Sequence, residues 1–245
     1  MQDPILILGA TGSIGGAIAK RLVIKGPVIL HGRNQKKLNL LKSNLSNSEH
    51  QIDSYLADLR RLDEVESLFS KIVMQHKKLS GVVFSVAQPF SKKLTHNIPW
   101  KDFSEQIDSQ LKSLHFVVQN ALPLLKESNS GARLVILSTE FLIGAPPIKT
   151  ASYVSAKAAL TAYSRVLSQE WLKHNIRVHI LAPGMVKSSL IADMPDRYLD
   201  QVVESMPEKQ LTTVDDVADT AEFLMTPQAD TLYGTIIHAS RAVRR

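Results

Sequence analysis

The stretch that decides the fold is Ile-Leu-Ile-Leu-Gly-Ala-Thr-Gly-Ser-Ile-Gly at residues 5–15. An apolar run of four residues opens directly into a cluster of glycines, which lets the backbone turn tightly and approach a ligand closely. The cluster holds four of the 11 glycines in the chain of 245 residues: Gly9, Gly12, Gly15 and Gly16. Residues 13–25 then have helical periodicity, so the pattern predicts a strand, a glycine turn and a helix.

On the C-terminal side of this stretch, short apolar runs alternate with longer segments along the rest of the chain. The runs that predict strands are Ile5–Leu8, Val28–Leu30, Ile52–Leu56, Val82–Val86, Leu134–Leu137, Ile176–Leu181 and Thr235–His238. The segments between them, mostly helical in pattern, are Ser13–Lys25, Asn34–Asn44, Leu62–His76, Trp100–Leu125, Ala151–His174 and Val214–Met225. Continuous apolar strands separated by helices are typical of a parallel sheet covered on both faces. The sequence therefore predicts an α/β fold with a doubly wound, seven-stranded parallel sheet in a single domain, residues 1–245.

The composition excludes several classes of protein. With 44% hydrophobic and 21% charged residues, the chain is typical of a globular domain. It has no cysteine, which excludes disulfides, thiolate catalysis and cysteine-ligated metal sites. No apolar run approaches the ~18–20 residues that span a bilayer, and no signal peptide is recognisable. We therefore expect no membrane association, no metal site and a cytoplasmic location.

The net charge of +6 is spread along the chain. Lysine and arginine occur in pairs at most, whereas nucleic-acid-binding arms carry longer basic blocks. We therefore interpret the basic excess as solvated surface charge that favours an anionic small ligand, and we expect no nucleic-acid partner.

The glycine turn predicts a phosphate-binding site. The helix that follows it offers free N–H groups and the positive end of its dipole to an anion. A tight turn without a ligand is the alternative interpretation, because a glycine cluster alone is weak evidence. The residues predicted to face the phosphates are Gly9, Thr11, Gly12, Ser13, Ile14 and Gly15.

The end of the second predicted strand bears on the identity of the dinucleotide. Enzymes that bind NAD carry an acidic residue there for the ribose hydroxyls, whereas residues 31–34 read His-Gly-Arg-Asn. The planar guanidinium of Arg33 suits a phosphate, so NADP(H) is predicted in preference to NAD(H). Asp58 and Leu59 follow the third strand and are candidates for contact with the adenine, although a lone aspartate also caps helices.

Tyr153 and Lys157 lie four residues apart at the start of an alanine-rich helix and share one of its faces. A tyrosine hydroxyl ordinarily titrates at a pKa of roughly 10, which is too high for acid–base chemistry at neutral pH. A nearby ammonium group favours the phenolate and lowers that pKa. We therefore predict Tyr153 as general acid/base and Lys157 as its activator, and Lys157 could also bind the cofactor ribose.

The ordered set of motifs resembles the short-chain dehydrogenase/reductase family over residues 5–239. In chain order, the motifs are the glycine turn, Asp58, Tyr153, Lys157 and the pair Pro183-Gly184 after the sixth strand. The resemblance implies a single-domain Rossmann fold, Tyr153 as the general acid/base and Lys157 as the residue that orients the ribose. It also implies that Val186 and Ser188, after the proline–glycine turn, contact the nicotinamide carboxamide.

Several positions depart from the pattern of that family. Ser13 replaces a usual glycine, and Phe-Ser-Val-Ala at residues 84–87 replaces Asn-Asn-Ala-Gly, which puts Ala87 at a cofactor-binding position. The asparagine of the family's catalytic tetrad falls on Gln110, whose extra methylene places a water relay in question. The tetrad serine falls on Thr139 or on Ser138 beside it, unless both hydroxyls merely cap the strand end.

Two functional hypotheses follow. The first is an NADPH-dependent carbonyl reductase that acts on a ketone, by analogy a 3-oxoacyl thioester of fatty-acid synthesis. The second, motivated by the altered motif positions, is an NADP(H)-binding regulator or scaffold with little or no turnover.

The least regular segment, Lys187–Leu211, is long for a simple connection and is predicted to form a substrate lid. Its apolar residues suit an acyl chain, or equally a lid that packs on its own domain: Leu190, Ile191, Met194, Tyr198 and Met206. By family resemblance, the helices Trp100–Leu125 and Ala151–His174 form a subunit interface, so we expect a homotetramer or homodimer.

Overall fold

In the computed structural model, which describes residues 3–188, 190–191 and 194–241, seven parallel strands form one sheet. The strands are β1 (Ile5–Leu8), β2 (Val28–Gly32), β3 (Ile52–Leu56), β4 (Gly81–Phe84), β5 (Ala132–Leu137), β6 (Ile176–Pro183) and β7 (Ile236–Ala239). Their spatial order is β3-β2-β1-β4-β5-β6-β7, so the direction of winding reverses between β1 and β4. The predicted doubly wound parallel sheet is confirmed.

Helices cover both faces of the sheet. The described α-helices are α1 (Ser13–Leu22), α2 (Gln35–Asn44), α3 (Leu62–Gln75), α4 (Trp100–Ile107), α5 (Ser113–Lys126), α6 (Ala151–Glu170), α7 (Asp196–Ser205) and α8 (Val214–Leu224). In β1, Leu6 and Leu8 pack in the cluster that includes α3, α5 and α6, while Ile7 packs in the cluster that includes α1, α2 and α8. Because both faces of β1 are buried, the strand reads as a continuous apolar run. None of the helices in the described ranges is long and apolar enough to cross a membrane.

Two predicted segments differ from the observed elements. The single predicted helix Trp100–Leu125 is divided by a π-helical turn at Asp108–Lys112 into α4 and α5. The segment 187–211, predicted to be irregular, contains α7, whose first turn holds Asp196 at the positive end of the helix dipole. Ser189, Ala192 and Asp193 of that segment lie outside the described residues, and its role as a lid stays a prediction.

Candidate active site

A cleft opens at the carboxyl ends of the strands, where the winding reverses and ligands bind in folds of this type. The predicted cofactor-binding residues that line it are Gly9, Thr11, Gly12, Ser13, Ile14, Gly15, Arg33, Asp58, Leu59, Ala87, Lys157, Pro183, Gly184, Val186 and Ser188. The predicted catalytic residues Tyr153, Thr139 and Ser138 line it as well, whereas Gln110 does not.

The glycine turn is built from close backbone contacts. Gly9 has a φ of +81°, and a Cβ at Gly15 would lie 2.3 Å from the carbonyl oxygen of Gly9. A Cβ at Gly12 would meet only that same oxygen, at 3.4 Å, so the cleft side of Gly12 is open. Gly12 begins α1 without a side-chain cap, and the first turn holds no acidic residue. The first N–H groups of α1 are therefore available to an anion in the cleft.

His31, at the end of β2, supports this turn from behind. Its Nδ1 accepts a hydrogen bond from the N–H of Gly9 (3.3 Å), and its Nε2 lies 3.0 Å from the carbonyl oxygen of Ala57. Burial lowers the pKa of His31 to about 4, so the ring is neutral and Nε2 carries the proton. Sequence reasoning missed this residue, although a histidine in an otherwise apolar strand was a usable signal.

The part of the cleft that follows β2 and β3 carries two arginines. Arg33 is exposed and lines the cleft, and within the described ranges it forms no ion pair. Arg60, which sequence reasoning missed, also lines the cleft, and its Nε donates to the carboxylate of Asp58 at 2.9 Å. Hydrogen bonding from Arg60 holds the pKa of Asp58 below its usual range. The predicted adenine contact is thus a carboxylate that already binds a guanidinium.

Tyr153 and Lys157 project from the first two turns of α6 into the cleft, and both are almost completely buried. Burial lowers the pKa of Lys157 to about 7, and its Nζ donates to the carbonyl oxygen of Leu137 at 2.6 Å. The sequence argument expected Lys157 to lower the pKa of Tyr153. In the structure burial has the larger effect and raises the pKa of Tyr153 to about 12, opposed by a hydrogen bond with the hydroxyl of Thr139.

The two candidate hydroxyls at the end of β5 have different partners. Ser138 Oγ lies 2.6 Å from Thr161 Oγ1 on α6. Thr139 contacts the hydroxyl of Tyr153 and also accepts a hydrogen bond from the N–H of Phe141 (3.3 Å). The geometry therefore brings Thr139, rather than Ser138, to Tyr153.

Gln110 lies in the π-helical turn and is completely buried. Its Nε2 donates to Gln106 Oε1 at 3.1 Å, and Ser109 and Ser113 line the cleft in its place. The side chain of Gln110 therefore does not line the cleft with the other predicted catalytic residues. The extra backbone residue of a π turn changes which side chains face the cleft, and the sequence pattern gave no sign of that turn.

Apolar side chains surround the tyrosine. Phe90, in the loop between β4 and α4, stacks on the Tyr153 ring with the centroids 4.9 Å apart. All five apolar residues named in the predicted lid pack in the same cluster as Tyr153, and Leu190, Ile191 and Met194 among them also line the cleft. The buried carboxylate of Glu140 accepts a hydrogen bond from the N–H of Met185 (3.1 Å), which ties the Thr139 turn to the segment after β6.

Comparison with known proteins identifies the family. A family model described as enoyl-(acyl carrier protein) reductase matches residues 9–241. The chain belongs to the short-chain dehydrogenase/reductase family. Members of this family are oxidoreductases that use a nicotinamide dinucleotide.

One sequence relative and two solved structures show what this chain is similar to. The 3-oxoacyl-[acyl-carrier-protein] reductase of Rickettsia felis is 30% identical over 236 residues, which cover 96% of this chain and 94% of that one. The NADPH-dependent reductase YwfH, involved in bacilysin biosynthesis, has a TM-score of 0.91 at 19% identity, over 100% of this chain and 99% of that one. A 7α-hydroxysteroid dehydrogenase complexed with NADH and 7-oxo glycochenodeoxycholic acid has a TM-score of 0.90 at 22% identity, over 99% of this chain and 96% of that one. The two structural comparisons establish a shared fold.

The residues of the cleft fit a nicotinamide dinucleotide. Gly12 leaves its cleft side open next to the first N–H groups of α1, which is the donor set that a pyrophosphate requires. Arg33 adds a cation after β2, and Lys157 adds a buried amine on α6.

Proposed function

We propose that this protein is an NADPH-dependent carbonyl reductase that converts a ketone to an alcohol, with a 3-oxoacyl thioester or a similar ketone as substrate. The observation that carries the proposal is the contact between the hydroxyls of Tyr153 and Thr139, buried beside Lys157 in the cleft. Family membership and the 3-oxoacyl-[acyl-carrier-protein] reductase activity by which the Rickettsia felis relative is named support it.

The protonation state of Tyr153 favours the direction of reduction. Because burial raises the pKa of Tyr153 to about 12, the phenol keeps its proton at neutral pH and can donate it to a carbonyl oxygen. Thr139 would hold the same oxygen through its hydroxyl and so stabilise the charge that develops there. Lys157, with a pKa of about 7, is partly charged at neutral pH and can hold ribose hydroxyls. A bound nicotinamide dinucleotide supplies the hydride.

The preference for NADP(H) over NAD(H) rests on Arg33. The end of β2 carries no acidic residue for the ribose hydroxyls, and Arg33 lines the cleft there with an exposed guanidinium. A 2′-phosphate on the ribose is the group that this planar cation would bind.

The test is turnover by the purified protein and by two matched variants. NADPH oxidation should be observed with a 3-oxoacyl thioester or a simple ketone, and Tyr153→Phe should lose roughly 100- to 10,000-fold in kcat. Tyr163→Phe is the control, because Tyr163 lies on the same helix but bonds to His115 outside the cleft. An unchanged rate in Tyr153→Phe would overturn the mechanism.

The substrate panel also separates the alternatives. An enoyl thioester belongs in it because of the description of the matching family model. Tight NADPH binding without turnover on any ketone or enoyl substrate would instead favour the regulator or scaffold.

A homotetramer or homodimer is part of the proposal. On α6, Ala156 is completely buried, whereas Ala158, Ala162 and Val166 form an exposed apolar row at four-residue spacing. Such a row allows a second helix to approach closely. Light scattering should show a dimer or tetramer, and a monomer at all concentrations would contradict this part. The cytoplasmic location stays a prediction.

A further inference from the structure

Phe90 covers one face of the Tyr153 ring. The two rings are nearly parallel, with 22° between their planes and 4.9 Å between their centroids. Phe141 meets the same ring edge-on, at 6.4 Å and 78°. Phe90 is only partly buried and lines the cleft, so its remaining surface faces whatever approaches the tyrosine hydroxyl.

Two buried amides hold the loop that carries Phe90. Gln106 Nε2 donates to the carbonyl oxygen of Pro89, immediately before Phe90, at 3.0 Å. Gln106 Oε1 accepts from Gln110 Nε2 at 3.1 Å. Gln106 is 1% exposed and Gln110 is 0% exposed, so a partner lost from this pair is not replaced by bulk water.

A second amide strengthens the same connection. Gln88 Nε2 donates to the backbone carbonyl oxygen of Glu105 at 3.0 Å. A side chain of the loop thus bonds to the backbone of α4, and a side chain of α4 bonds to the backbone of the loop. The backbone from which Phe90 projects is therefore fixed relative to α4.

The wall around the tyrosine is apolar. Besides Phe90, the residues that form it are Phe141, Met185, Leu190, Ile191 and Met194. Because Phe90 stacks on Tyr153 and lines the cleft, a ketone whose oxygen meets the Tyr153 hydroxyl would have the Phe90 ring beside one of the two carbons attached to its carbonyl group.

We propose that Phe90 is the specificity-determining residue of the carbonyl site, and that Gln106 with Gln110 is the pair that positions it. The substrates it selects are ketones with an unbranched apolar chain beside the carbonyl. Gln110 thereby acts through Gln106 and Phe90 instead of contacting the reacting atoms. The inference rests on the proposed function for its specificity part, and on geometry alone for its positioning part.

The specificity part is tested by the ratio of kcat/KM for a straight-chain methyl ketone and an aryl ketone of similar carbon number. Phe90→Ala should shift that ratio toward the aryl ketone by roughly tenfold to a hundredfold. Phe90→Tyr keeps the ring and should keep the wild-type ratio. Phe103→Leu is the control, because Phe103 stacks on Trp100 at the start of α4, outside the cleft lining. An unchanged ratio in Phe90→Ala would overturn the specificity part.

The positioning part is tested without turnover, from the ring-current shift that Phe90 imposes on the NMR signals of Tyr153. Phe90→Ala should abolish the shift, and Gln106→Leu and Gln110→Leu should reduce it while the rest of the spectrum stays folded. Removing Phe90 also uncovers the tyrosine, so the NMR titration of Tyr153 should move to lower pH. A Tyr153 signal unchanged in both glutamine variants would overturn the positioning part.

The two proposals fail in different ways. If the wild-type protein reduces no ketone at all, the proposed function fails, and the specificity part fails with it. If the wild-type protein turns over but Phe90→Ala keeps the same substrate ratio, only the specificity part fails. The Tyr153 signal decides the positioning part in either case.

Discussion

The two ends of the cleft are built in different ways. At the phosphate end the main chain forms the site, because Gly9 and Gly15 pack so closely that a Cβ at Gly15 would lie 2.3 Å from a carbonyl oxygen. At the carbonyl end the site consists of side chains from separate elements: Thr139 after β5, Tyr153 on α6 and Phe90 after β4. A site made of backbone depends on contiguous residue types, whereas a site made of side chains depends on tertiary packing. The first tolerates few substitutions, and the second can change substrates through single residues.

After Tyr153→Phe, the largest single effect is expected from the other hydroxyl at the carbonyl end. Thr139→Ala removes the hydroxyl that contacts Tyr153 and should lower kcat by roughly 100- to 1,000-fold, as loss of an oxyanion-binding donor does. Thr139→Ser keeps the hydroxyl and should retain most of the rate. Steady-state kinetics with NADPH and the best ketone provide the measurement.

Ser138→Ala is the matched control for that experiment. It removes the hydrogen bond to Thr161 at the same strand end, so it should cost about 1 kcal/mol of unfolding free energy with little change in kcat. A larger kinetic loss in Ser138→Ala than in Thr139→Ala would reverse the assignment of the two hydroxyls.

At the phosphate end, Gly15→Ala and Gly12→Ala should separate folding from binding. Gly15→Ala forces the backbone apart and should lower the free energy of unfolding by about 1–3 kcal/mol. Gly12→Ala meets no atom closer than 3.4 Å, so it should cost under about 1 kcal/mol of stability but still weaken NADPH binding. Urea denaturation and fluorescence titration with NADPH provide the two measurements. Equal losses of stability in the two variants would contradict the backbone account of this end.

At the end of β2, Arg33 should affect the binding of NADPH and leave the binding of NADH unchanged. Arg33→Ala should raise the Kd of NADPH by roughly tenfold to a hundredfold, the cost of losing one charge-assisted phosphate contact, and leave the Kd of NADH unchanged. Arg61→Ala is the control, because Arg61 pairs with Asp63 and lies outside the cleft lining. An equal loss for both cofactors would mean that Arg33 contacts a part that NADH and NADPH share.

The same contrast explains what could be predicted from the sequence. The apolar runs predicted the strands, because a strand buried on both faces must be apolar. The glycine cluster predicted the phosphate-binding turn. Tyr153 and Lys157 were found because one helix holds both at a fixed spacing. The position of Gln110 outside the cleft lining could not be predicted, because a π turn shifts the helix register without any marker in the residue pattern. The stacking of Phe90 on Tyr153 could not be predicted from the sequence, because the two residues are 63 positions apart and meet only through tertiary packing.

The smallest expected effect is a change in stability with pH that depends on His31. Through its bond to Gly9, this residue is a side chain on which the backbone of the phosphate end also depends. Burial lowers its pKa from 6.5 to about 4, so over that interval the unfolded chain binds the extra proton. Stability contributed by neutral His31 is therefore complete above about pH 6.5 and is lost as the pH falls toward 4. The wild-type protein should lose about 0.7 kcal/mol more unfolding free energy than His31→Asn between about pH 7 and about pH 6.

Urea denaturation at several pH values provides that measurement. His179, whose pKa burial also lowers to about 4, contributes equally to both proteins and cancels in their difference. In the folded protein His31 stays neutral until the pH approaches 4, so Nδ1 keeps accepting the N–H of Gly9, and His31 should not change NADPH binding between about pH 7 and about pH 6. Parallel stability profiles for the two proteins would show that His31 does not titrate with folding. The phosphate end would then depend on its backbone alone, and the contrast with the carbonyl end would be complete.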